Sequence, residues 1–356
     1  MHTSITRRYF AASNSSRGFC NYYGECFSEA RVDHLYVIKG GPGTGKSHFM
    51  REVARYAHER GYAVTEYACS SDPASLDGVL LTCAGKPAIG LLDGTAPHVY
   101  EPTSPGVREE IVNLGAFWNS TRLAGEKGMI RALSAQKTDA YARAYACLRA
   151  AGEMDRVADS LITPTVKEDR LIAMARRILR HVTPAGRFDA SPALRSAWGM
   201  TGRVTHHTYE QDATSLLILD TSYGLGYRLT VHLLRLSGER GDRVQVSYHP
   251  AYPDKVDGLL YPDSGVCVLV GDAEPPEDGC SVRTVSLRRY TDAEALRQAR
   301  GEIRHALAIR NTLEEDALRA LAHAGKYHFE LERIYAAAMD FAAKEAFTEQ
   351  FCQRFI

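Results

Sequence analysis

The chain has 356 residues, and its 43 lysine and arginine residues balance 43 aspartate and glutamate residues, so the formal net charge is zero. This balance excludes nucleic-acid binding by bulk electrostatic attraction, because neutralising a phosphate backbone needs an excess of basic residues. The 45% hydrophobic fraction excludes disorder as the dominant state. We therefore expect two globular domains, with no nucleic-acid partner and no membrane segment.

The N-terminal residues and the cysteines both bear on the cellular compartment. The first residues contain no apolar stretch of secretory-signal length, which predicts a cytoplasmic location. The eight cysteines are scattered, and no two have the spacing that zinc and redox sites favour. We expect them to be reduced thiols, most of them buried as small hydrophobic side chains.

A glycine-rich segment follows the apolar, strand-like run of residues 35–39. It fits the pattern G-x-x-x-x-G-K-[ST], and residues 46–59 after it are in helical register. Glycines let successive backbone N–H groups point at phosphate oxygens, and the helix presents its positive end to the same anion. The pattern predicts an ATP site in which Lys46 contacts the β- and γ-phosphates and Ser47 binds Mg²⁺. The predicted nucleotide-binding residues are Gly40, Gly41, Pro42, Gly43, Thr44, Gly45, Lys46, Ser47 and His48.

A metal ion in such a site needs a second protein anchor, usually an aspartate at the end of a neighbouring apolar strand. Asp93 ends the apolar run of residues 88–93 and is the predicted Mg²⁺ ligand beside Ser47. The next residue is Gly94 rather than the glutamate that activates water in many strong ATPases. The sequence therefore predicts either slow hydrolysis or another carboxylate in that role. His98, in the following loop, is a further candidate for contact with the γ-phosphate, and an ordinary hydrogen bond within the loop is the alternative.

Two further aspartates belong to the polar segment 69–78. Ligands bind at the carboxyl ends of strands in open α/β sheets, so Asp72 and Asp77 are predicted to lie at the same sheet edge as Asp93. Together with Lys46 they are the candidate catalytic residues, placed to orient a water or a substrate hydroxyl. The alternative is a turn or capping role for both.

The second half of the chain repeats the first at an offset of 180 residues, as when Glu-Arg-Gly at 59–61 recurs at 239–241. Such a repeat predicts a tandem duplication, with domains at 1–184 and 185–356. The predicted fold class is α/β, with two tandem P-loop NTPase-like domains of three layers. Each domain is expected to have a mostly parallel sheet flanked by helices, followed by a helical appendage.

The second copy lacks the predicted phosphate-binding chemistry. A gapped alignment places residues 224–228 opposite residues 43–47, so that Tyr227 replaces the lysine and Arg228 replaces the metal-binding hydroxyl. The second half is therefore predicted to be a degenerate copy that neither binds nor hydrolyses MgATP. The alternative is that Arg228 binds an anion or reaches the first site as an arginine finger.

Helical segments are predicted to follow each sheet. In the first half a helix is expected to begin at Ser104, followed by helices at about 127–160 and 166–182. The second half has corresponding helices at about 292–323 and 326–353. These appendages are predicted to form a lid over the nucleotide or a surface for a protein partner or self-association, and packing between the halves is the alternative.

Four segments of the first half carry a family resemblance, namely residues 9–19, 40–47, 69–78 and 92–98. Together they resemble a bacterial family of tandem P-loop proteins described as predicted ATPases or nucleotide-kinase-like proteins. The resemblance covers the whole chain and is strong over residues 7–118. It implies ATP binding. Members of that family often keep a recognisable phosphate loop in the second half, from which Tyr227 and Arg228 depart.

These observations lead to three functional hypotheses. The first is a Mg²⁺-dependent ATPase, active only in the N-terminal half. The second is a phosphotransferase acting on a small acceptor such as a nucleoside or nucleotide, favoured by Gly94 after Asp93 and by the acidic segment 72–77. The third is a nucleotide-sensing interaction protein with little turnover, in which ATP sets the position of the helical appendages.

Overall fold

The computed structural model describes residues 6–96, 99–276 and 279–356. In the first half the elements are β1 (Arg7–Phe10), β2 (Ala12–Ser15), β3 (Gly18–Asn21), α1 (Tyr23–Cys26), β4 (His34–Lys39), α2 (Lys46–His58), β5 (Ala63–Ala68), β6 (Leu76–Thr82), β7 (Ile89–Asp93), β8 (Glu109–Asn113), α3 (Ser120–Gly125), α4 (Lys127–Ile162) and α5 (Glu168–Leu179). In the second half they are β9 (Asp189–Pro192), β10 (Ser196–Gly199), β11 (Gly202–Thr205), α6 (Thr208–Gln211), β12 (Ser215–Leu219), α7 (Leu225–Arg240), β13 (Arg243–Tyr248), β14 (Val256–Tyr261), β15 (Val266–Val270), β16 (Ser281–Val285), α8 (Ala293–Ala337) and α9 (Phe341–Phe355).

Each half forms one six-stranded mixed sheet. The strand order is β1-β5-β6-β7-β4-β8 in the first sheet and β9-β13-β14-β15-β12-β16 in the second. In the first sheet β6 runs antiparallel to both of its neighbours and the other pairings are parallel. In the second sheet β14 has the same role. The second sheet therefore repeats the first strand for strand.

The strands are buried on both faces, and alternate side chains enter different cores. In β4, Tyr36 and Ile38 pack with α2 on the outer face, whereas Leu35 and Val37 belong to a cluster shared with the second sheet. Leu216 of β12 lies in that shared cluster, together with side chains of the short helices α1 and α6. Helices α2 and α7 thus lie on the outer faces, and the inner faces share one core instead of forming two separate three-layer domains.

The last helix of each half packs on the sheet of the other half. In the first half, α5 places Leu171 in one apolar cluster with Leu229 of α7. In the second half, α9 places the ring of Phe351 5.0 Å from that of Phe49 in α2 and 4.8 Å from that of Tyr36 in β4, measured between ring centroids. The predicted boundary after residue 184 separates the two sheets along the chain, but α5 and α9 cross it in space.

Helices α4 and α8 pack along each other and connect the two halves. They are the two longest helices, with 36 and 45 residues. Leu148 of α4 and Ala317 of α8 share an apolar cluster, and Asp155 of α4 accepts a hydrogen bond from Arg310 of α8 at 3.0 Å. Among the described residues, no helix combines the length and the apolar character that a membrane span requires.

Two predictions about secondary structure were wrong. Residues after Ser104 form the edge strand β8 rather than a helix, and they follow a period of two: Ile111 is 56% exposed, whereas Val112 is buried. The predicted break between residues 323 and 326 is also absent, because α8 continues to Ala337. Gly325 allows a close approach there, since a Cβ at that position would lie 2.9 Å from the Cβ of Met200.

Candidate functional site

The glycine-rich loop of residues 40–45 connects β4 to α2. Gly43 and Gly45 have φ angles of +68° and +80°, a region that other residues rarely adopt. Gly45 immediately precedes the first turn of α2, whose backbone N–H groups have no partner within the helix. A strand, a turn with two left-handed glycines and a helix N-terminus therefore meet at this position, an arrangement suited to an anion.

The side chain of Lys46 is held inside the loop by hydrogen bonds to the backbone of the loop. Its Nζ donates hydrogen bonds to the carbonyl oxygens of Gly40 and Gly41, at 3.1 and 2.8 Å. The same atom lies 3.6 Å from Oδ2 of Asp93, and both side chains are largely buried. Asp93 reaches this position because β7 pairs with β4 in register, with Asp93 beside Ile38. The sheet thus brings together the lysine and the aspartate that the sequence predicted for one site.

Asp93 and the loop are also joined through Thr95, which the sequence analysis did not select. The backbone N–H of Thr95 donates to Oδ1 of Asp93 at 2.8 Å, and its hydroxyl donates to the carbonyl oxygen of Gly40 at 2.9 Å. These bonds fix the orientation of the Asp93 carboxylate relative to the loop. The residues around Asp93 were predicted only as a turn, and His98 lies outside the described residues.

Ser47 lies at the first turn of α2, where its Oγ accepts a hydrogen bond from the backbone N–H of Leu76 at 3.0 Å. The hydroxyl keeps a second lone pair that a metal ion can use. Within the described ranges, no group of three or more histidine, cysteine, aspartate or glutamate residues could hold a metal by itself. Ser47 and Asp93 fit Mg²⁺ of the kind that keeps several waters and takes its other ligands from phosphates.

Asp72 and Asp77 have different surroundings. Asp72 closes a turn, because its Oδ2 accepts a hydrogen bond from the hydroxyl of Ser75 at 2.8 Å. Asp77 lies in β6 rather than in a loop, is 2% exposed and accepts a hydrogen bond from the hydroxyl of Tyr23 at 2.9 Å. Burial, followed by the nearby Asp77 charge, raises the pKa of Tyr23 well above its ordinary value. Both aspartates line the same cavity as Lys46.

His48 points to a different surface of α2. Its Nδ1 lies 3.2 Å from Nζ of Lys344 and 3.6 Å from a carboxylate oxygen of Glu345, both in α9. The imidazole is more than half exposed. The structure therefore places His48 at the contact between α2 and α9, the helix of the second half that packs on the first sheet. Residues 43–47, in contrast, line the cavity.

The cavity in front of the loop has a volume of about 960 Å³ and is lined by both halves of the chain. Residues 43–47 and Asp93 form one wall. Other parts of the lining come from the long helices and include Lys137, Tyr141 and Tyr145 of α4 and His328, Phe329 and Glu332 of α8. The sequence predicted helical appendages near the nucleotide but did not identify any of these six side chains.

The α4 wall is polar and ordered by hydrogen bonds. The hydroxyl of Tyr141 donates to Oγ of Ser71 at 2.9 Å, and that of Tyr145 donates to Oδ1 of Asn14 at 2.8 Å. Burial raises the pKa of Tyr145 to about 12 and also raises that of Tyr141. Burial lowers the pKa of Lys137, an effect that the Glu332 charge opposes and the Lys46 charge adds to. The α4 part of the lining thus offers hydroxyl groups and a second cation.

The corresponding loop of the second half is shorter. Only residues 220–224 separate β12 from α7, and Tyr223, with a φ angle of +57°, is the one described non-glycine residue with a positive φ. The helix begins after Gly224, whose φ angle of +67° resembles that of Gly45. The second loop keeps the strand, the turn and the helix but replaces one flexible glycine with a tyrosine.

The structure corrects the alignment of the two loops. The buried residues Phe49 and Val53 of α2 correspond to Leu229 and Leu233 of α7, at the offset of 180 residues that β5 and β13 also follow. Gly226 therefore occupies the position of Lys46, and Tyr227 that of Ser47. The gapped alignment, which placed Tyr227 and Arg228 there, was wrong by one residue. In either register the positions that correspond to Lys46 and Ser47 have no lysine and no serine.

The second cavity, of about 560 Å³, is crossed by ion pairs. Arg228 donates to a carboxylate oxygen of Asp159 at 2.8 Å and also to the hydroxyl of Thr163. Asp155 lies 2.6 Å from Lys255 and 3.0 Å from Arg310. Arg228 is thus bound to Asp159 and Thr163 of the first half, next to the second cavity. It does not line the first cavity, so the structure gives no support to an arginine finger.

Comparisons of the chain with protein-family models, curated proteins and solved structures returned no match. What can be inferred about function therefore depends on the site itself: two left-handed glycines before a helix, a lysine inside the loop and an aspartate on the neighbouring strand.

Proposed function

We propose that this chain is an ATP-binding, Mg²⁺-dependent P-loop ATPase whose first half has the active site and whose second half is a degenerate copy. The observation that carries the proposal is the loop of residues 40–45 between β4 and α2, with Nζ of Lys46 3.6 Å from Asp93. The proposal includes a P-loop NTPase-like fold for each half, kinship with the tandem P-loop family that the sequence resembles and a cytoplasmic location.

In this proposal the backbone N–H groups of residues 41–46 hold the phosphates, and their fixed orientation stabilises charge that develops during transfer. Lys46 exchanges the carbonyl oxygens of Gly40 and Gly41 for the β- and γ-phosphates. Ser47 and Asp93 orient the water shell of Mg²⁺, whose chemistry is to neutralise the phosphate oxygens. Asp72 and Asp77 line the cavity in which the attacking water would lie.

A second candidate is a phosphotransferase. The observation that favours it is the size of the cavity, about 960 Å³, because small-molecule pockets span roughly 300 to 1,000 Å³ and this one is near the upper end. Tyr141, Tyr145 and Lys137 line the same space as the loop and bring two hydroxyl groups and an ammonium to it. They could position a small acceptor such as a nucleoside or nucleotide.

The test of nucleotide binding is calorimetric titration with a non-hydrolysable ATP analogue and Mg²⁺. Replacing Lys46 with alanine removes charge-assisted bonds to phosphate, so we expect a loss of affinity of about 10- to 100-fold. The matched control is Lys127→Ala, because Lys127 is exposed at the start of α4. Equal affinities for the Lys46→Ala variant and the unaltered chain would contradict the proposal.

A second measurement separates hydrolysis from transfer. With labelled ATP, an ATPase releases free phosphate at a rate that does not depend on added nucleosides or nucleotides, whereas a phosphotransferase labels one of them. Tight binding with negligible turnover would instead favour the nucleotide-sensing interaction protein, with the exposed faces of α4 and α8 as the surface for a partner or for self-association.

A further inference from the structure

Glu332 of α8 places a carboxylate on the phosphate loop. The backbone N–H of Gly43 and the ammonium of Lys46 both lie within electrostatic range of the carboxylate. The side chain is about one-third exposed and lines the same cavity as the loop. An acidic side chain from the second half thus occupies a position that the loop would offer to an anion.

The main chain of α8 touches the loop at the same residue. A Cβ on Gly43 would lie 2.4 Å from the carbonyl oxygen of Glu332 and 3.1 Å from its Cα. One turn further along α8, the ring of Tyr335 would lie 3.0 Å from a Cβ on Gly41. The loop and the helix therefore approach each other at two glycines, and this approach fixes the position of Glu332 independently of its charge.

Cationic and ionisable groups surround the carboxylate. Nε2 of His328 lies 3.5 Å from Oε1 of Glu332, and Lys46 and Lys137 are the cations within electrostatic range. The hydrogen bond to His328, the Lys46 charge and the Gly43 N–H lower the pKa of Glu332 and keep it ionised. Lys46 therefore lies 3.6 Å from Asp93 on the sheet and within electrostatic range of Glu332 on α8.

A nucleotide phosphate and this carboxylate cannot use the same groups together. The N–H of Gly43 and the ammonium of Lys46 are the groups that a phosphate loop presents to a triphosphate, and like charges at contact distance repel strongly in a largely buried site. We infer that Glu332 is an internal anion that competes with the nucleotide phosphates for the loop, so that ATP binding displaces it and moves α8. The inference rests on the proposed function and adds regulation of that site.

Displacement would be transmitted to the first half through Trp118. The rings of Tyr335 and Trp118 lie 6.0 Å apart, and the backbone N–H of Asn119 donates to the carbonyl oxygen of Ala338 at 2.7 Å. A shift of α8 away from the loop would change both contacts. Nucleotide binding in the first half would thereby alter the position of a helix that belongs to the second half.

The test compares Glu332→Gln with the unaltered chain, using Mg²⁺ with a non-hydrolysable ATP analogue and, separately, inorganic tripolyphosphate. The amide keeps the size of the side chain but removes its charge, so we expect both probes to bind about tenfold more tightly. This is the gain expected if the conformation with Glu332 away from the loop is about one-tenth populated in the unaltered chain and becomes the major one in the variant. Glu302→Gln, at an exposed position of the same helix, is the control and should bind both probes like the unaltered chain.

Amide hydrogen exchange of residues 326–338 provides a second readout. We expect exchange in this segment of the unaltered chain to rise when the analogue is added, and to be raised already in Glu332→Gln without it. If the unaltered chain binds the analogue and Glu332→Gln gains no affinity, the competing role of Glu332 is disproved and the proposed function stands. If neither protein binds either probe, the proposed function fails and the inference fails with it.

Discussion

The loop of residues 40–45 and its counterpart at residues 220–224 begin from the same scaffold. Each follows the strand that pairs with the edge strand of its sheet, and each ends at a left-handed glycine before a long helix. The first loop contains two left-handed glycines and leads into Lys46. The second contains Tyr223 in the left-handed region and leads into Gly226 at the corresponding helix position.

The comparison separates the residues that build the fold from those that are proposed to bind an anion. The apolar positions of α2 and α7, the strand order and the hairpins recur in both halves. In the first cavity Lys46 faces Glu332 and Asp93, whereas in the second Arg228, Lys255 and Arg310 are bound to Asp155 and Asp159. The second half repeats the packing of the first, and its cavity is lined by ion-paired side chains instead of a loop lysine.

The largest expected effect is a loss of stability when α5 or α9, the helices that each pack on the sheet of the other half, loses a buried side chain. Phe351→Ala removes a buried ring of α9 from the core of the first sheet and should lower the free energy of unfolding by about 3 to 5 kcal/mol. Leu171→Ala in α5 should destabilise the chain by about 2 to 5 kcal/mol through the second sheet. Urea denaturation followed by circular dichroism measures both. A change below about 1 kcal/mol in either variant, the range of an ordinary surface substitution, would show that the exchanged helix is not part of that core.

The glycines of the two loops should respond differently to alanine. In Gly43→Ala the new side chain would strain a backbone with a φ angle of +68° and disturb the loop N–H groups, so we expect at least a tenfold loss of affinity for the ATP analogue, or about 1.4 kcal/mol. In Gly224→Ala the nearest atom is Cδ2 of Tyr227 at 3.9 Å, so only backbone strain of about 1 kcal/mol is expected. Equal effects of the two variants on nucleotide affinity would mean that both loops bind.

A pH experiment tests a residue in which the two halves differ. His249 of the second half corresponds to Cys69 of the first. The backbone N–H groups of Ala251 and Tyr252 both donate to Nδ1 of His249, at 3.2 Å each. Burial, with the nearby Lys255 charge adding to it, lowers the pKa of His249 from 6.5 to about 3.

The sign of the effect follows from the unfolded chain, in which His249 takes up a proton below pH 6.5 while the folded chain keeps it neutral. Stability is therefore present above pH 6.5 and falls as the pH is lowered towards 3, by up to about 1.4 kcal/mol per pH unit from this group. Comparing the unfolding free energy of His249→Gln and the unaltered chain at pH 7 and pH 5 isolates this contribution. Equal losses in both proteins would contradict it.

The smallest expected effect is that of Arg228→Ala. Its ion pair with Asp159 is partly exposed on the aspartate side, so the loss of stability should stay below about 1 kcal/mol. Nucleotide affinity and ATP turnover should not change, because Arg228 lies in the second cavity. A tenfold fall in turnover without loss of stability would instead restore the arginine-finger hypothesis.

The sequence was sufficient for the part of the site formed by neighbouring elements. The strand, the glycine-rich loop and the helix are consecutive, and Asp93 could be placed beside Lys46 because it ends the neighbouring strand. Asp77 was assigned to a loop because the segment before it is polar, although β6 begins one residue earlier, at Leu76. Local patterns therefore predicted which of these residues lie together better than they predicted the boundaries of the strands.

The wall formed by α4 and α8 could not be predicted from local patterns. Glu332 lies in a helix with Glu330 and Arg333 close by, and such a charged run is usually a solvated face. Its approach to Gly43 depends on the packing of two long helices against each other and on the exchange of α9, both of which are tertiary contacts. No periodicity of the sequence distinguishes a glutamate that faces water from one that faces the loop.

The packing of α9 on the first sheet also determines the order in which parts of the chain can fold. The first sheet begins at Arg7, yet its outer core includes Phe351, and the contact between His48 and Lys344 spans 296 residues. During synthesis, Tyr36 and Phe49 should stay without their aromatic cover until α9 has left the ribosome. Contacts of such high separation are slow to form because a long loop must close first. The first half of the chain is synthesised first, but its outer core is completed only after α9 has been made.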